Sequence, residues 1–184
     1  MVVYRGPPCP RLLFVGEAPG KEEDARGEPF VGRSGRILED ALAKSPWPRD
    51  QVGITNAVMC RPPGNRLPAW AVDACHDWLE GKIRALDPPF LVTLGGTALG
   101  ALIPRAPRPL EAAGRWFSWE GRPLFALLHP AATLRSGRFS QRWRRDWDRL
   151  RRDLPSLYPA GRSPGSPAPP EDRPGEKPYN RRAD

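Results

Sequence analysis

Four short apolar, β-rich runs punctuate the chain: RLLFVG at 11–16, VGITNAVM at 52–59, FLVTLGG at 90–96 and PLFALLH at 123–129. Each ends in a turn or a polar residue. Between them apolar residues recur at helical spacing, as Ile37, Leu38, Ala41 and Leu42 in 33–44, and as Trp70, Ala74, Trp78, Leu79, Ile83 and Leu86 in 69–86. A short helix is expected at 97–103. Near-continuous apolar runs suit strands covered on both faces, and strands alternating with helices imply a parallel sheet between two helical layers. The expected fold is therefore α/β: a three-layer α/β/α sandwich with a four-stranded, mainly parallel sheet. RWFSWEGRPLFALLH suggests a local hairpin turning at Glu120–Gly121. A last helix is expected over 138–154, with Phe139, Trp143, Trp147 and Leu150 near one face. The 184 residues suit one domain, over 1–155. Beyond Pro155 the chain turns Pro-, Gly- and Ser-rich with mixed charge, so 156–184 is expected to be a disordered tail.

Ligands of open α/β sheets bind beyond the carboxyl ends of the strands. That rule gathers Gly16–Asp24, Asn56 to Cys60, Gly95–Gly96 and His129–Pro130 at one edge, and makes Glu17, Asn56 and His129 candidates for one pocket. The glycine turn in LLFVGEAPGKEED invites comparison with a phosphate loop. That loop needs four residues between its glycines and then Lys followed by Ser or Thr. Here three separate Gly16 from Gly20, and Lys21 is followed by Glu22. Glu17, Glu22, Glu23 and Asp24 would also repel a triphosphate, so a nucleotide-binding enzyme is disfavoured.

Charge points to a different polyanion. The chain carries a formal net charge of +8, which favours nucleic acid as a partner; an arginine-rich chain from a GC-rich genome is the plainer reading of composition alone. No apolar run reaches the roughly 18 residues of a membrane span, and no basic segment leads into an apolar one at the N-terminus. Three cysteines, an odd number, argue against a disulfide framework. The expectation is a cytoplasmic, nucleoid-associated monomer with no membrane partner.

VGEAPGKEED, GEPFVGRSGRIL, ITNAVMCRPPGNR, LVTLGG and LHPAATLRSG, in this order and spacing, resemble the uracil-DNA glycosylase superfamily, and within it family 4. The likeness spans roughly residues 11 to 152. It implies excision of uracil from single- or double-stranded DNA by hydrolysis of the N-glycosidic bond, in base-excision repair. A base inside a duplex is out of reach, so such an enzyme flips it into a pocket and reads its Watson–Crick edge. Asn56 suits that reading, offering an acceptor to N3–H and a donor to O4. Phe30 resembles the aromatic on which uracil stacks. His129 resembles the histidine that donates to uracil O2 as negative charge grows there. Glu17 stands where the superfamily places a water-positioning group, and its charge would also stabilise a cationic sugar. Ala18 resembles a position whose backbone contacts the base, and Glu23 one that crowds uracil C5 and excludes the methyl of thymine. Arg61 and Arg66, in a proline-rich loop, suit the DNA backbone. Gly95 and Gly96 would let a backbone amide approach a phosphate. Leu134 resembles the wedge that fills the gap left by the flipped base, with Arg135 as phosphate partner.

The cysteines depart from the family pattern. Family 4 members hold a [4Fe–4S] cluster on four cysteines, two of them in a Cys-x-x-Cys before the first strand. Cys60 and Cys75 match the second pair; the first pair is absent, and Cys9 lies too close to the strand to match. The expectation is no complete cofactor in this chain; the alternative, a 4Fe–4S cluster as in the family, requires a start upstream of Met1. Relatives that trap uracil-DNA covalently carry a histidine after the asparagine motif, and a chain without one is not expected to trap. NAVMCRPPGNRLP has none. A non-cleaving uracil-DNA-binding protein of the same fold remains the alternative function.

Overall fold

The structure, a computed structural model, describes residues 1–157; the segment 158–184, which holds most of the expected tail, lies outside the described residues. The elements run β1 (Leu12–Gly16), α1 (Lys21–Arg26), α2 (Arg33–Leu42), β2 (Val52–Asn56), α3 (Ala69–Leu86), β3 (Phe90–Leu94), α4 (Gly96–Leu102), α5 (Pro109–Ala112), β4 (Trp116–Trp119), β5 (Arg122–Leu127) and α6 (Gly137–Leu157). Short 3-10 turns occupy Arg49–Gln51, Pro63–Asn65 and Pro130–Leu134.

The sheet order is β2-β1-β3-β5-β4. Four strands are parallel, with Leu12 level with Val52 on one side and with Phe90 on the other. The fifth strand corrects the expected count of four. Trp116–Trp119 pairs antiparallel with β5 as the other arm of the expected hairpin. Glu120 and Gly121 at its tip both have positive φ, 47° and 76°, the geometry of a tight two-residue turn.

Alternation along the strands divides the core in two. Leu12 and Phe14, Val52 and Ile54, Val92 and Phe125 point to one face, where Leu38 and Leu42 of α2 and Trp143, Trp147 and Leu150 of α6 cover them. Leu13, Val15, Leu91 and Leu124 point to the other, beneath Leu79 and Ile83 of α3 and Leu99 and Leu102 of α4. The three layers follow from strands that are buried at every position in β1, β2 and β3 and apolar at most of them.

Three details differ from the sequence reading. The acidic stretch after Gly20 is not all turn: it forms α1, whose first turn carries Glu22, Glu23 and Asp24 where the helix dipole favours them. On α3, Trp70 and Trp78 are exposed and the buried residues are Ala71, Leu79 and Ile83. The apolar residues of that helix wrap more than one face, so periodicity alone did not choose the inner one. Helix α6 continues to Leu157, so the boundary expected at Pro155 falls in its last turn. No described helix is long and apolar enough to cross a membrane.

Candidate active site

Because β1 lies between β2 and β3, the connections leaving its two sides diverge and open a crevice above its carboxyl end. A cavity of about 380 Å³ sits there. Glu17, Ala18, Glu23, Phe30, Asn56, His129 and Arg135 all line it, together with Pro19, Ser34, Pro62 and Asn65. Thus all six residues assigned to catalysis and uracil binding converge, from four separate segments of the chain.

Asn56 is the last residue of β2, level with Gly16 of β1. It is 1 % exposed, and its Oδ1 has no hydrogen-bond partner among the described residues. An orphaned buried acceptor costs about 1–3 kcal/mol unless something satisfies it. Gly16 makes the space: a Cβ there would lie 2.5 Å from both Asn56 Oδ1 and the Phe30 ring.

Phe30 occupies left-handed backbone, φ 58°, a conformation that costs a bulky residue on the order of 1–3 kcal/mol. The strain is held by close packing below, since a Cβ on Gly35 would come within 1.9 Å of Phe30 O. The ring stands against His129, with centroids 5.8 Å apart and planes tilted by 33°. Strain held in place at an aromatic that lines a cavity points to use of that ring.

His129 caps the Pro130–Leu134 turn, its Nδ1 accepting from the Ala131 amide at 3.2 Å. In a neutral ring the proton must then sit on Nε2. Burial pushes its pKa below the usual 6.5; the Glu17 carboxylate opposes that, and Arg135 adds to it. The result is a neutral imidazole with a fixed donor. Glu17 is itself positioned, accepting from Thr97 Oγ1 at 2.6 Å.

Glu23 is buried, and both its oxygens are engaged: Oε1 accepts from the Gly32 amide at 2.8 Å and Oε2 from the Gly20 amide at 3.1 Å. It clamps the turn after β1 to the start of α2. That explains the glycines of the opening motif, because Cβ atoms on Gly20 and Gly32 would meet those oxygens at 2.7 and 3.0 Å. The turn is braced by a carboxylate rather than built to cradle a phosphate.

One family model, that of the Uracil DNA glycosylase superfamily, matches residues 3–151. This chain belongs to the uracil-DNA glycosylase superfamily. It is 38 % identical over 139 residues to the type-4 uracil-DNA glycosylase of Thermotoga maritima, covering 74 % of this chain and 72 % of that one. With the type-4 enzyme of Archaeoglobus fulgidus it shares 35 % over 150 residues, 76 % of this chain and 74 % of the relative. The type-5 uracil-DNA glycosylase of Thermus thermophilus is 33 % identical over 144 residues, 67 % of this chain and 66 % of its own.

Of the other residues assigned from the sequence, Leu134 adjoins Arg135 of the cavity lining, and Arg61 and Arg66 flank Pro62 and Asn65. Leu134 is exposed at the end of its 3-10 turn, with Arg135 beside it. Arg61 donates to Asn65 Oδ1 at 2.8 Å, bracing the proline loop, and Arg66 is exposed. Gly95 requires correction. Its amide donates to Leu127 O at 2.8 Å, so it belongs to the sheet and is not offered to a phosphate. What Gly95 supplies is its φ of +95° and a close fit, since a Cβ would lie 3.1 Å from His129 Cβ. Gly96 opens α4, where an amide has no partner inside the helix.

Gly35, Ser34, Asn65 and Thr97 were given no role by the sequence, and Gly16 entered only as the start of the turn at the sheet edge. Gly35 and Ser34 lie within the quoted GRSGRIL, but only the fold shows what they touch. Thr97 lies 80 residues from Glu17 and carries no local signal.

The cysteines do not gather. Cys9 and Cys60 are exposed and Cys75 is partly buried, all as free thiols. Among the described residues no three His, Cys, Asp or Glu side chains are placed to hold a metal ion. A cluster of the family type needs four thiolates, and the donor set of this chain does not fit it.

Proposed function

We propose that this chain is a uracil-DNA glycosylase that takes uracil flipped out of DNA and hydrolyses its N-glycosidic bond, opening base-excision repair. The observation that carries the reading is the buried, unpartnered Oδ1 of Asn56. Uracil N3–H would satisfy it, and the amide NH₂ of the same side chain would donate to O4. Cytosine presents the reverse pattern and would leave both unpaired. The strained Phe30 ring offers a stacking surface worth about 1–3 kcal/mol.

In the reaction the C1′–N1 bond breaks and its electron pair leaves with uracil. His129 Nε2–H donates to O2 as that negative charge develops, and a fixed donor of this kind contributes roughly 3 kcal/mol. The neutral ring suits the task, since it donates without needing a proton from solvent. Glu17, held by Thr97, orients the water whose oxygen bonds to C1′ and stabilises the cationic sugar; the water's proton passes to solvent. Leu134 fills the vacated stack while Arg135, Arg61 and Arg66 hold the backbone. The Glu23 carboxylate acts through the turn it clamps.

We propose further that the chain works without a complete iron–sulfur cluster, a reading supported by its donor set. The test of the function is release of uracil from labelled oligonucleotides, single- and double-stranded. Release from strands with uracil and not from matched strands with cytosine or thymine is expected; no release from any would overturn the reading.

A further inference from the structure

The arginines of α6 gather away from the cavity mouth. A second cavity of about 380 Å³ lies between α6 and the segment entering β4. Arg115, Arg142, Arg145, Arg149 and Arg152 line it, against the carboxylates Glu111 and Asp146. The helical four recur at spacings of three and four residues, so they share one face over about 15 Å of helix.

The cluster is built. Asp146 is 4 % exposed, and its Oδ2 accepts from Arg142 Nε at 2.6 Å. Arg142 Nη2 also donates to Ala113 O at 2.5 Å, so its head is fixed from two sides. Beneath lies Gly114, φ +82°, where a Cβ would stand 2.7 Å from Asp146 Oδ1. Arg145 Nε is 3.6 Å from Asp146 Oδ1, while its side chain is 69 % exposed. Arg149 Nε in turn donates to Asp153 Oδ2 at 3.4 Å. Five arginines thus face three carboxylates, Glu111, Asp146 and Asp153, and the excess of positive charge favours an anion.

Its position suggests which anion. At the upper end Trp143 Nε1 donates to Leu128 O, one residue before His129. At the lower end Arg152 is two residues from Leu154, which lies beside Leu12 and Phe90 at the far edge of the sheet. The row therefore leads from the level of the active-site cavity down the flank of the molecule.

We propose that this groove holds the phosphodiester backbone of the strand bearing the flipped uracil, beyond the nucleotides at the cavity mouth. The proposal rests on the glycosylase reading. Guanidinium forks match phosphate oxygens in pairs. Along a duplex axis a strand places one phosphate about every 3.4 Å, so a groove running with that axis spans on the order of four phosphates and holds fewer of an extended strand.

The test compares two strands, with two or with twenty nucleotides on each side of a uracil, and a long strand without uracil. Dissociation constants and their salt dependence are measured for wild type, for Arg145→Gln with Arg152→Gln, and for Arg26→Gln with Lys44→Gln, which removes two exposed charges elsewhere. The groove variant is expected to bind both long strands about tenfold more weakly, with a salt slope shallower by one to two. Its binding and cleavage of the short strand, and all properties of the control variant, should match wild type. Unchanged long-strand affinity and slope would overturn the proposal. So would loss of binding only to an acidic polypeptide such as polyglutamate, which would assign the groove to a protein partner. Wild type that releases no uracil yet shows the length-dependent loss would defeat the glycosylase reading and leave the groove standing.

Discussion

On the proposed function, Asn56 and His129 would divide the recognition of one ring, the first reading its edge and the second meeting the charge that leaves with it. Asn56→Ala and His129→Ala should each slow uracil release about a hundredfold or more, the loss of roughly 3 kcal/mol each, as single-turnover rates will show. Asn56→Asp should lose discrimination against cytosine as well as rate. The depressed pKa of His129 fixes the sign of a pH effect. The folded protein keeps the ring neutral as pH falls through 6.5, so the acid limb of the rate profile should lie below that value. The unfolded chain binds that proton first, so the site's contribution to stability falls as pH drops below 6.5, which denaturant titration at two pH values checks. At this scale the sequence was legible where one residue type carries the chemistry, as with Asn56, Phe30 and His129. It was not legible where a partner is distant, as with Thr97 on Glu17, or where the role is the absence of a side chain, as with Gly16.

The turn after β1, the start of α2 and the turn after β5 form the walls of the site, and two glycines set their closeness. Gly16→Ala would press a methyl into Asn56 Oδ1 and the Phe30 ring at 2.5 Å, so it should cut the rate at least about tenfold. Gly35→Ala would collide with Phe30 backbone, and should cost about 1–3 kcal/mol of stability, measured by denaturant unfolding, besides slowing release. The parallel strands were readable because each is a short, mostly apolar run that ends in a turn or a polar residue. The site's edge followed from them, since β1 lies at the switch in sheet order. Helix α1 was not readable, because six residues dominated by Glu, Asp and Lys carry no apolar period. The inner face of α3 was not readable because Trp70 and Trp78 put apolar residues on a second, exposed face of that helix.

As a whole the molecule places a cavity at one edge of the sheet and a basic flank beside it, under a net charge of +8. DNA affinity should fall steeply between about 50 and 200 mM salt, and Arg135→Ala should lower the slope by about one. Deleting 158–184 should leave cleavage intact, since every cavity residue lies before it; abolished cleavage would place part of the site in that segment. Protein purified without oxygen should be colourless near 400 nm and lack iron and sulfide, whereas about four irons per chain would show a ligand set these thiols do not supply. The membership of the family was legible in five motifs, whereas the exposure of Cys60 and the partial burial of Cys75 depend on the loop between β2 and α3 and were not. The central claim is that one buried amide selects uracil over cytosine for excision. The most direct measurement is single-turnover base release from otherwise identical strands carrying uracil, cytosine or thymine, by wild type and Asn56→Ala. Wild type should release uracil alone, and the variant should do so at least about a hundredfold more slowly. Equal rates for the two proteins, or release of all three bases by wild type, would contradict it.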